Sequence, residues 1–259
     1  MSRVGLGLVG CGARIRAVVH ALRKATDEVE LVAVQDPSAE SVRKTLEAYN
    51  PGAKVYKDYR DLVADGRVQW VMIGSWNCFH AEHAIAALKA GKHIFCEKPL
   101  ATTFEDCLAI RDAWKKAGTL FTVGFTLRYS PHYVRIKELV DSGYVGRILS
   151  MEFNETLHFE HGGYIHSDWR RKTSQAGTHL LEKCCHDLDL ANWIVGSLAG
   201  RVASFGGCDF FRPENRHYTE RIGPNPKGCP AFVSWHVDAS GKCPPVDPFT
   251  TDKDIVDNQ

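Results

Sequence analysis

The stretch Glu97-Lys98-Pro99 directly follows a short apolar run, Ile94-Phe95-Cys96. A lysine at the end of a buried strand is partly desolvated, so its ammonium can hold a substrate oxygen. The carboxylate of Glu97 could orient that ammonium and keep it charged, and Pro99 would restrict the backbone, if necessary through a cis peptide bond. An ordinary surface ion pair before a turn is the alternative interpretation.

A second group with chemical potential lies in "GTHLLEKCCHDLDLANW", residues 177–193. Glu182 and His186 are four residues apart, so a helix would place them on one face. An imidazole beside a carboxylate is a plausible general base with its tuning group. His179 lies on roughly the same face, which leaves a metal site open as an alternative. We interpret the nearby acids, Asp187 and Asp189, as helix-surface or orienting groups.

The segment "GLVGCGARIRA" follows the first predicted strand and opens the first predicted helix. Gly10 and Gly12 match the first two glycines of G-x-G-x-x-G/A, which allow a tight turn and a close approach to a pyrophosphate. Ala13 and Arg14 would lie at the helix N-terminus beside that group. Ile15 occupies the third motif position, where Gly or Ala is usual, and this weakens the argument for close packing of helix on strand.

Asp36 ends the second predicted strand, in "LVAVQDP". An acid at this position can accept hydrogen bonds from a ribose 2′-hydroxyl and would repel a 2′-phosphate, so we predict NAD as the cofactor. An N-cap or Asp-Pro turn is the alternative role for Asp36. Arg14, Ser38 and Arg43 leave NADP open.

Further candidate cofactor-binding residues follow a buried run in "VMIGSWNCFHAEHA". Ligands of open parallel sheets collect at the carboxyl ends of the strands, and these residues lie at such an end. Asn77 would also serve as a helix N-cap, and packing is the more usual role for His80 and His83. The predicted cofactor contacts here are Gly74, Ser75, Trp76, Asn77 and His80, to which Glu97 and Lys98 are added.

The elements that must position these residues alternate between strand and helix in the first half. Strands are predicted at Arg3–Val9, Glu30–Gln35, Val68–Gly74, His93–Cys96 and Leu120–Gly124. The helical segments between them are Ala13–Ala25, Ala39–Tyr49, Cys78–Ala90 and Phe104–Ala117. This alternation predicts a doubly wound parallel sheet of the Rossmann type, covered on both faces, in a dinucleotide-binding domain over residues 1–125.

The second predicted domain, residues 126–259, has a different pattern. Pro131–Ser142 and 176–195 are predicted helices, whereas Arg147–Leu157 and Val202–Phe211 are predicted strands of an open, mainly antiparallel sheet. Two strands and a helix make no stable antiparallel layer, and the proline-rich residues after 211 are predicted as loop. We therefore expect a C-terminally incomplete α/β domain with exposed apolar surface.

Composition limits the possible classes of protein. The 259 residues carry a formal net charge of +1, so no bulk electrostatic attraction to nucleic acid or membrane is expected. Apolar runs are too short to span a bilayer, and the N-terminus begins directly with a strand pattern, which favours a cytoplasmic protein. The nine cysteines include no Cys-x-x-Cys pair and are expected to be free thiols, with Cys208, Cys229 and Cys243 as a weaker metal alternative.

Taken together, these motifs resemble the glucose–fructose oxidoreductase, inositol dehydrogenase and MocA (Gfo/Idh/MocA) family of oxidoreductases. The resemblance extends from the N-terminus to about residue 210, and Glu-Lys-Pro after a strand together with His186-Asp187-x-Asp189 is its most specific part. The matching pieces are "GLVGCG", "VQD", "GSWNCFHAEHAIAALKAGKHIFCEKPLA", "VGFTLRY", "GYVGRI" and "DWRRKTSQAGTHLLEKCCHDLD". It implies a nicotinamide cofactor, a sugar, polyol or related substrate, and assembly of homo-oligomers through the open sheet.

The resemblance also implies roles for particular residues. Lys98 would bind substrate beside the nicotinamide, His186 would be the catalytic base, and Glu182 stands where the family often has Asp. Trp169 and Arg170 match a pair that lies near the cofactor, and Arg128 is assigned to the substrate. No metal is implied.

Three departures from the family pattern stand near these residues. Thr126 replaces a common Asn, "SQAGTH" replaces a glycine run, and Trp76 replaces a common Pro.

The sequence thus predicts a dehydrogenase that transfers a hydride from a secondary alcohol to NAD. His186 would take the hydroxyl proton and Lys98 would stabilise the alkoxide. Two alternatives remain at this stage: redox-assisted glycoside cleavage with retained NAD, and a non-catalytic NAD-binding regulator.

Overall fold

Six parallel strands form one sheet in the N-terminal part of the chain. The structure is a computed structural model that describes residues 3–157, 169–207, 209, 212–215 and 217. The strands are β1 (Val4–Val9), β2 (Val29–Gln35), β3 (Lys54–Val55), β4 (Trp70–Ile73), β5 (His93–Cys96) and β6 (Phe121–Val123). Their order in the sheet is β3-β2-β1-β4-β5-β6, so successive strands are added on one side of β1 up to β3 and on its other side from β4 onward.

Helices cover both faces of this sheet. The helices are α1 (Ala13–Ala25), α2 (Ala39–Tyr49), α3 (Tyr59–Ala64), α4 (His80–Lys89) and α5 (Phe104–Ala117). Because successive side chains of a strand point to opposite faces, Leu6 and Leu8 pack with α1 and α2, whereas Val9 packs with α3 and α4. Burial on both sides explains why these strands are almost continuously apolar.

Local signals in the sequence set several helix ends. Ser38 accepts a hydrogen bond from the Ser41 N–H at 3.2 Å and begins α2, and Thr103 accepts one from the Asp106 N–H at 3.1 Å before α5. Gly118 ends α5 with φ of +65°, a conformation that costs glycine little.

The Rossmann architecture predicted for the first half is confirmed. The five predicted strands and four predicted helices are present, with ends shifted by a few residues. β3 and α3 were not predicted, because a two-residue strand and a six-residue helix are too short for a periodic pattern to be recognised. The helix predicted at Cys78–Ala90 is a 3₁₀ turn at Asn77–Phe79 followed by α4.

The chain divides into two compact units, residues 1–124 and 125–259. In the second unit a 3₁₀ turn at Thr126–Tyr129 precedes α6 (Pro131–Asp141), and a second 3₁₀ turn lies at Trp169–Arg171. The helix predicted at 176–195 is α8 (His179–Val195), with its start shifted by three residues, and a short helix, α7 (Thr173–Ala176), precedes it. α7 ends at Gly177, whose φ is +79°.

The two strands predicted in the second unit are not found. Residues 147–157 and 202–207 carry no strand, and residues 208, 210 and 211 of the second predicted strand lie outside the described residues. Alternating apolar and polar residues indicate which face of a strand would be buried, but a strand also needs a neighbour to pair with its N–H and C=O groups. The loop predicted from residue 212 onward falls mainly outside the described residues.

The described part of the chain contains no helix that is long and apolar enough to cross a membrane. Six described cysteines are free, of which Cys11 and Cys96 are buried; Cys208, Cys229 and Cys243 lie outside the described residues.

Candidate active site

The glycine loop, residues 10–12, connects β1 to α1 at the reversal point of the sheet. Gly10 has φ of +86°, and a Cβ there would lie 2.5 Å from backbone atoms of Gly74 and Ser75. Only glycine fits this contact between two strand ends. Gly12 differs, since a Cβ there would meet nothing within 4 Å. This open side, at the N-terminus of a helix with no acidic residue in its first turn, suits an anionic group such as a pyrophosphate.

The packing of Ile15 explains the departure from the glycine motif. Its side chain is fully buried, and a Cβ on Gly74 would lie 2.6 Å from the Ile15 Cβ. In the usual pattern the small residue lies on the helix and allows it to approach the sheet. In this chain the small residue is Gly74, at the end of β4, and the large residue, Ile15, is on the helix. α1 can therefore still approach the sheet closely.

Asp36 holds two backbone groups at the carboxyl end of β2. Its Oδ2 accepts the Cys11 N–H at 2.6 Å, and its Oδ1 accepts the Ser38 N–H at 2.7 Å. The turn role considered as an alternative is therefore present, and Asp36 also supports the glycine loop. A carboxylate has about four lone-pair sites, so these two bonds leave capacity for a ribose hydroxyl.

Glu97 forms an ion pair with Arg14 in addition to its contacts with the neighbouring Lys98. The Arg14 Nε donates to Glu97 Oε1 at 3.0 Å, and the Glu97 side chain is almost fully buried. Burial raises the pKa of Glu97 above its ordinary value, while the positive charge of Arg14 opposes that rise. Glu97 Oε2 accepts the Lys98 backbone N–H at 3.3 Å. Glu97 therefore links the Lys98 turn to the first turn of α1.

The half-buried Lys98 begins a turn at the carboxyl end of β5. The Lys98–Pro99 peptide bond is cis, the conformation that the sequence analysis considered for Pro99. Gly124 lies close to this turn, since a Cβ there would be 3.1 Å from Glu97 Oε2 and 3.2 Å from the Glu97 Cα. A larger residue at 124 would displace the carboxylate that bonds Arg14.

The loop after β4 is held by two buried histidines of α4. Ser75 Oγ lies 2.9 Å from His83 Nδ1, and the Ser75 carbonyl lies 3.1 Å from His80 Nε2. Burial lowers the pKa of His83 to about 4, so its ring is neutral near pH 7. His83 was not selected from the sequence, although its spacing of three from His80 could have placed it on the same helix face.

Two neighbouring residues of this loop differ in exposure. Asn77 is buried and starts the 3₁₀ turn, so it is not the N-cap of α4. Trp76 is exposed and stacks on Phe79, with ring centroids 6.3 Å apart. Trp76 thus presents an aromatic face to solvent near the carboxyl edge of the sheet.

In the second unit, α8 carries the predicted base. Thr178 begins the helix by accepting the Leu181 N–H at 3.1 Å. Glu182 and His186, one turn apart, are both buried, and the His186 ring meets the edge of Phe125 with centroids 5.9 Å apart. A buried imidazole beside an aromatic ring is suited to proton transfer because little water competes for its hydrogen bonds.

Trp169 and Arg170 lie beside Glu182. The Arg170 Nε is 3.9 Å from Glu182 Oε1, and the Arg170 guanidinium stacks over Trp169 at 4.4 Å. This arrangement places a positive charge next to the carboxylate that was predicted to tune His186. Among the described residues, no group of three His, Cys, Asp or Glu side chains is arranged to hold a metal ion.

Arg128 forms a two-point ion pair with Asp189. Its Nε and Nη2 donate to the two Asp189 oxygens at 2.6 and 2.5 Å, and its guanidinium lies over the Trp193 ring at 5.6 Å. The pair joins the 3₁₀ turn at Thr126–Tyr129 to α8. Asp189 is thus an orienting group, one of the two roles considered for it.

A charged cluster that was not predicted joins α8 to Glu155. Lys183 pairs with Glu155, and the Asp187 carboxyl is close to both. Burial, with a contribution from Glu155, raises the pKa of Asp187 to about 6. Glu155 gave no signal because nothing in its surrounding sequence predicts that it folds against α8.

The strand order and the glycine loop define a dinucleotide-binding protein of the Rossmann class. Residues 4–125 match the model of an oxidoreductase family with an NAD-binding Rossmann fold, named GFO_IDH_MocA, and residues 133–237 match the GFO/IDH/MocA C-terminal domain. The chain belongs to this family, and residues 4–125 carry its NAD-binding fold. The family and cofactor predicted from the sequence are confirmed.

Proteins with similar sequences carry the names of dehydrogenases. The chain is 34% identical over 204 residues to an inositol 2-dehydrogenase/D-chiro-inositol 3-dehydrogenase of Lactiplantibacillus plantarum, covering 77% of this chain and 55% of that protein. The chain therefore spans about half the length of the relatives it matches.

Two solved structures are similar as well. The WlbA dehydrogenase of Bordetella pertussis, in complex with NADH and UDP-GlcNAcA, has a TM-score of 0.66 and 28% identity, covering 75% of this chain and 56% of that one. A levoglucosan dehydrogenase in complex with NADH and levoglucosan has a TM-score of 0.65 and 28% identity, covering 75% and 55%.

Proposed function

We propose that this protein is an NAD-dependent dehydrogenase that oxidises a secondary alcohol of a sugar, polyol or related compound. The observation that carries the proposal is the position of Lys98. The residue stands in a turn at the carboxyl end of β5, and the Arg14–Glu97 pair ties that turn to the helix behind the glycine loop. A half-buried ammonium beside a dinucleotide site is suited to bind an alcohol oxygen that becomes negative during the reaction.

The glycine loop and its neighbours fit NAD. Gly10, Gly12 and the N-terminus of α1 at Ala13 and Arg14 would hold the pyrophosphate, and Asp36 would bind the adenosine ribose. Once bound, the oxidised nicotinamide supplies the acceptor for a hydride. The remaining proposed cofactor contacts are Ile15, Gly74, Ser75, Trp76, Asn77, Glu97, Trp169 and Arg170.

Residues of this chain would accept the proton of the substrate hydroxyl and stabilise the negative charge on its oxygen. His186 accepts the hydroxyl proton while the carbinol carbon loses a hydride, and the alcohol becomes a ketone. Lys98 stabilises the negative charge that builds on the oxygen, and Glu182 favours the protonated imidazole. The ion pair of Arg128 with Asp189 supports an orienting role for Arg128, alongside the substrate contact proposed from the sequence.

For His80 we propose a supporting role in place of the cofactor contact expected from the sequence. Its side chain is only 1% exposed, and both ring nitrogens lie near main-chain carbonyls. These contacts favour a supporting function beneath the cofactor site over direct contact with NAD.

The experiment is a cofactor titration followed by a substrate panel. The purified chain is titrated with NAD by fluorescence and then assayed with myo-inositol, levoglucosan and a UDP-linked hexuronic acid. We expect saturable NAD binding and NADH formation with at least one compound. Cleavage of a glycoside without NADH release would indicate redox-assisted cleavage, and NAD binding without any turnover would favour a regulator.

Two variants test the assigned chemistry. Lys98→Ala and His186→Ala should each lower turnover by about 10²- to 10⁴-fold while leaving the Kd for NAD nearly unchanged. Lys115→Ala and His20→Ala, at exposed positions on α5 and α1, are the matched controls and should retain turnover. Near-normal turnover in either site variant would refute the role of that residue.

A further inference from the structure

His80 connects the two loops that follow β4 and β5. Its Nδ1 lies 2.8 Å from the Pro99 carbonyl oxygen, and its Nε2 lies 3.1 Å from the Ser75 carbonyl oxygen. Ser75 belongs to the loop that packs against Gly10, and Pro99 follows Lys98 directly. One buried side chain therefore contacts the glycine-loop side and the lysine side of the sheet edge.

We propose that His80 is a positioning residue that holds the Lys98 turn in place through the Pro99 carbonyl. Lys98 is half-buried and its backbone is fixed on one side by Glu97, which accepts the Lys98 N–H. The hydrogen bond from His80 fixes the other side of the same turn. The position of the Lys98 ammonium is thereby set by α4 as well as by β5.

The direction of the key hydrogen bond follows from the chemistry of its partners. A carbonyl oxygen can only accept, so the 2.8 Å contact requires a hydrogen on His80 Nδ1. The longer contact at Nε2 forms a second such bond only when the ring is doubly protonated. The proposal needs the Nδ1 hydrogen, which is present both in the imidazolium and in one of the two neutral tautomers.

The importance of His80 for activity rests on the proposed function, in which Lys98 binds the substrate oxygen. The positioning role itself is tested without turnover, by measuring how fast an amine-reactive ester acetylates Lys98. Peptide mass spectrometry gives this rate relative to Lys115, which is exposed on α5. Failure of the proposed function would appear as missing NAD binding or turnover and would leave the acetylation result unaffected.

We expect His80→Ala to raise the relative acetylation rate of Lys98 at least threefold, because the released turn exposes the ammonium. His80→Gln, whose amide can still donate to one carbonyl, should restore at least half of the protection. His93→Gln is the matched control, because His93 accepts the Leu120 N–H at 3.0 Å at the opposite, amino end of β5. An unchanged Lys98 rate in folded His80→Ala, or an equal rise in His93→Gln, would overturn the proposal.

A measurement on the unaltered protein covers the case in which His80→Ala does not fold. Nitrogen NMR of the histidine rings at pH 7 reports which nitrogen of His80 carries hydrogen. A hydrogen on Nδ1 supports the bond to Pro99. A neutral ring protonated only at Nε2 would overturn the proposal.

Discussion

At the scale of single residues, Asp36 combines two functions that the sequence presented as alternatives. It accepts the Cys11 and Ser38 N–H groups and still has lone pairs for a ribose. Replacing it should therefore damage the glycine loop as well as cofactor selectivity. Hydrogen bonds to charged groups contribute about 1.5–3 kcal/mol, which corresponds to roughly a tenfold change in affinity or more.

We predict that the unaltered chain binds NAD at least about tenfold more tightly than NADP, because the Asp36 carboxylate would face the 2′-phosphate. Asp36→Ala should weaken NAD binding by about tenfold and reduce the difference between the two cofactors to about threefold or less. Fluorescence titration measures both constants, and Asp27→Ala, at an exposed position, is the control. Equal binding of NAD and NADP to the unaltered chain would contradict the assignment.

His83 should make the first unit sensitive to acid. Its pKa is lowered to about 4 in the folded chain, mainly by burial, against about 6.5 in an unfolded one. Below pH 6.5 the unfolded chain takes up the proton first, so stability present above that pH is lost progressively as the pH falls towards 4. His83→Gln removes this titration.

Urea denaturation at pH 7.5 and pH 5 measures the effect. The loss of unfolding free energy between the two pH values should be smaller in His83→Gln than in the unaltered chain. His20→Gln, at an exposed position, should keep the full pH dependence. An identical pH dependence in His83→Gln would show that the ring is not held neutral by burial.

At the scale of elements, the packing of α1 on β4 depends on a large residue on the helix, Ile15, facing a glycine at the end of the strand, Gly74. A Cβ at 74 would lie 2.6 Å from the Ile15 Cβ, which is too close for unstrained contact. Gly74→Ala should therefore destabilise the chain by about 1–3 kcal/mol, the usual cost of overpacking. It should also shift the N-terminus of α1 and weaken NAD binding.

The second substitution of a double-mutant cycle tests this interpretation. Ile15→Ala in the Gly74→Ala background restores a small residue at the third motif position and should recover part of the lost stability. Gly66→Ala is the control, because a Cβ there meets nothing within 4 Å. Strictly additive effects of the two substitutions, measured by denaturation, would mean that the contact does not limit the packing.

At the scale of the whole molecule, the first unit and the described part of the second differ in how well they bury their apolar side chains. The first contains two clusters of buried residues, one on each face of the sheet. The described part of the second carries large apolar side chains that are more than four-fifths exposed. These are Tyr144 (81%), Leu149 (82%), Leu198 (82%), Val202 (83%) and Phe205 (96%). Large exposed apolar patches mark contact surfaces or aggregation sites.

We predict that the 259-residue chain binds a hydrophobic dye and sediments as more than a monomer. Leu198→Ser and Phe205→Ser together should reduce both signals, because they remove two of the most exposed side chains. A pair of serine substitutions at buried apolar positions would raise dye binding and so serves as the opposite control. A compact monomer without dye binding would contradict the prediction.

The sequence determined the first unit almost completely. Strand–helix alternation, the glycine loop and Asp36 act over short distances, so periodicity and turn chemistry identify them without the fold. The family motifs likewise predict Lys98, Glu182 and His186 as site residues. The features that were not predicted are either short or depend on contacts between residues outside the recognised patterns. They are the two-residue β3, the hydrogen bond between His83 and Ser75, and the packing of Glu155 against α8.

Only the tertiary structure decided which groups pair with one another. The sequence placed Glu97 beside Lys98, and the folded chain adds a pairing of that carboxylate with Arg14 and a pairing of Arg128 with Asp189. It also showed that Gly74 replaces the missing small residue opposite Ile15, and that His80 contacts Pro99. Such partners are far apart along the chain, and a local pattern carries no information about which distant side chain meets it. The absence of strands at 147–157 and 202–207 has the same origin, because strand formation depends on a neighbour as well as on alternation.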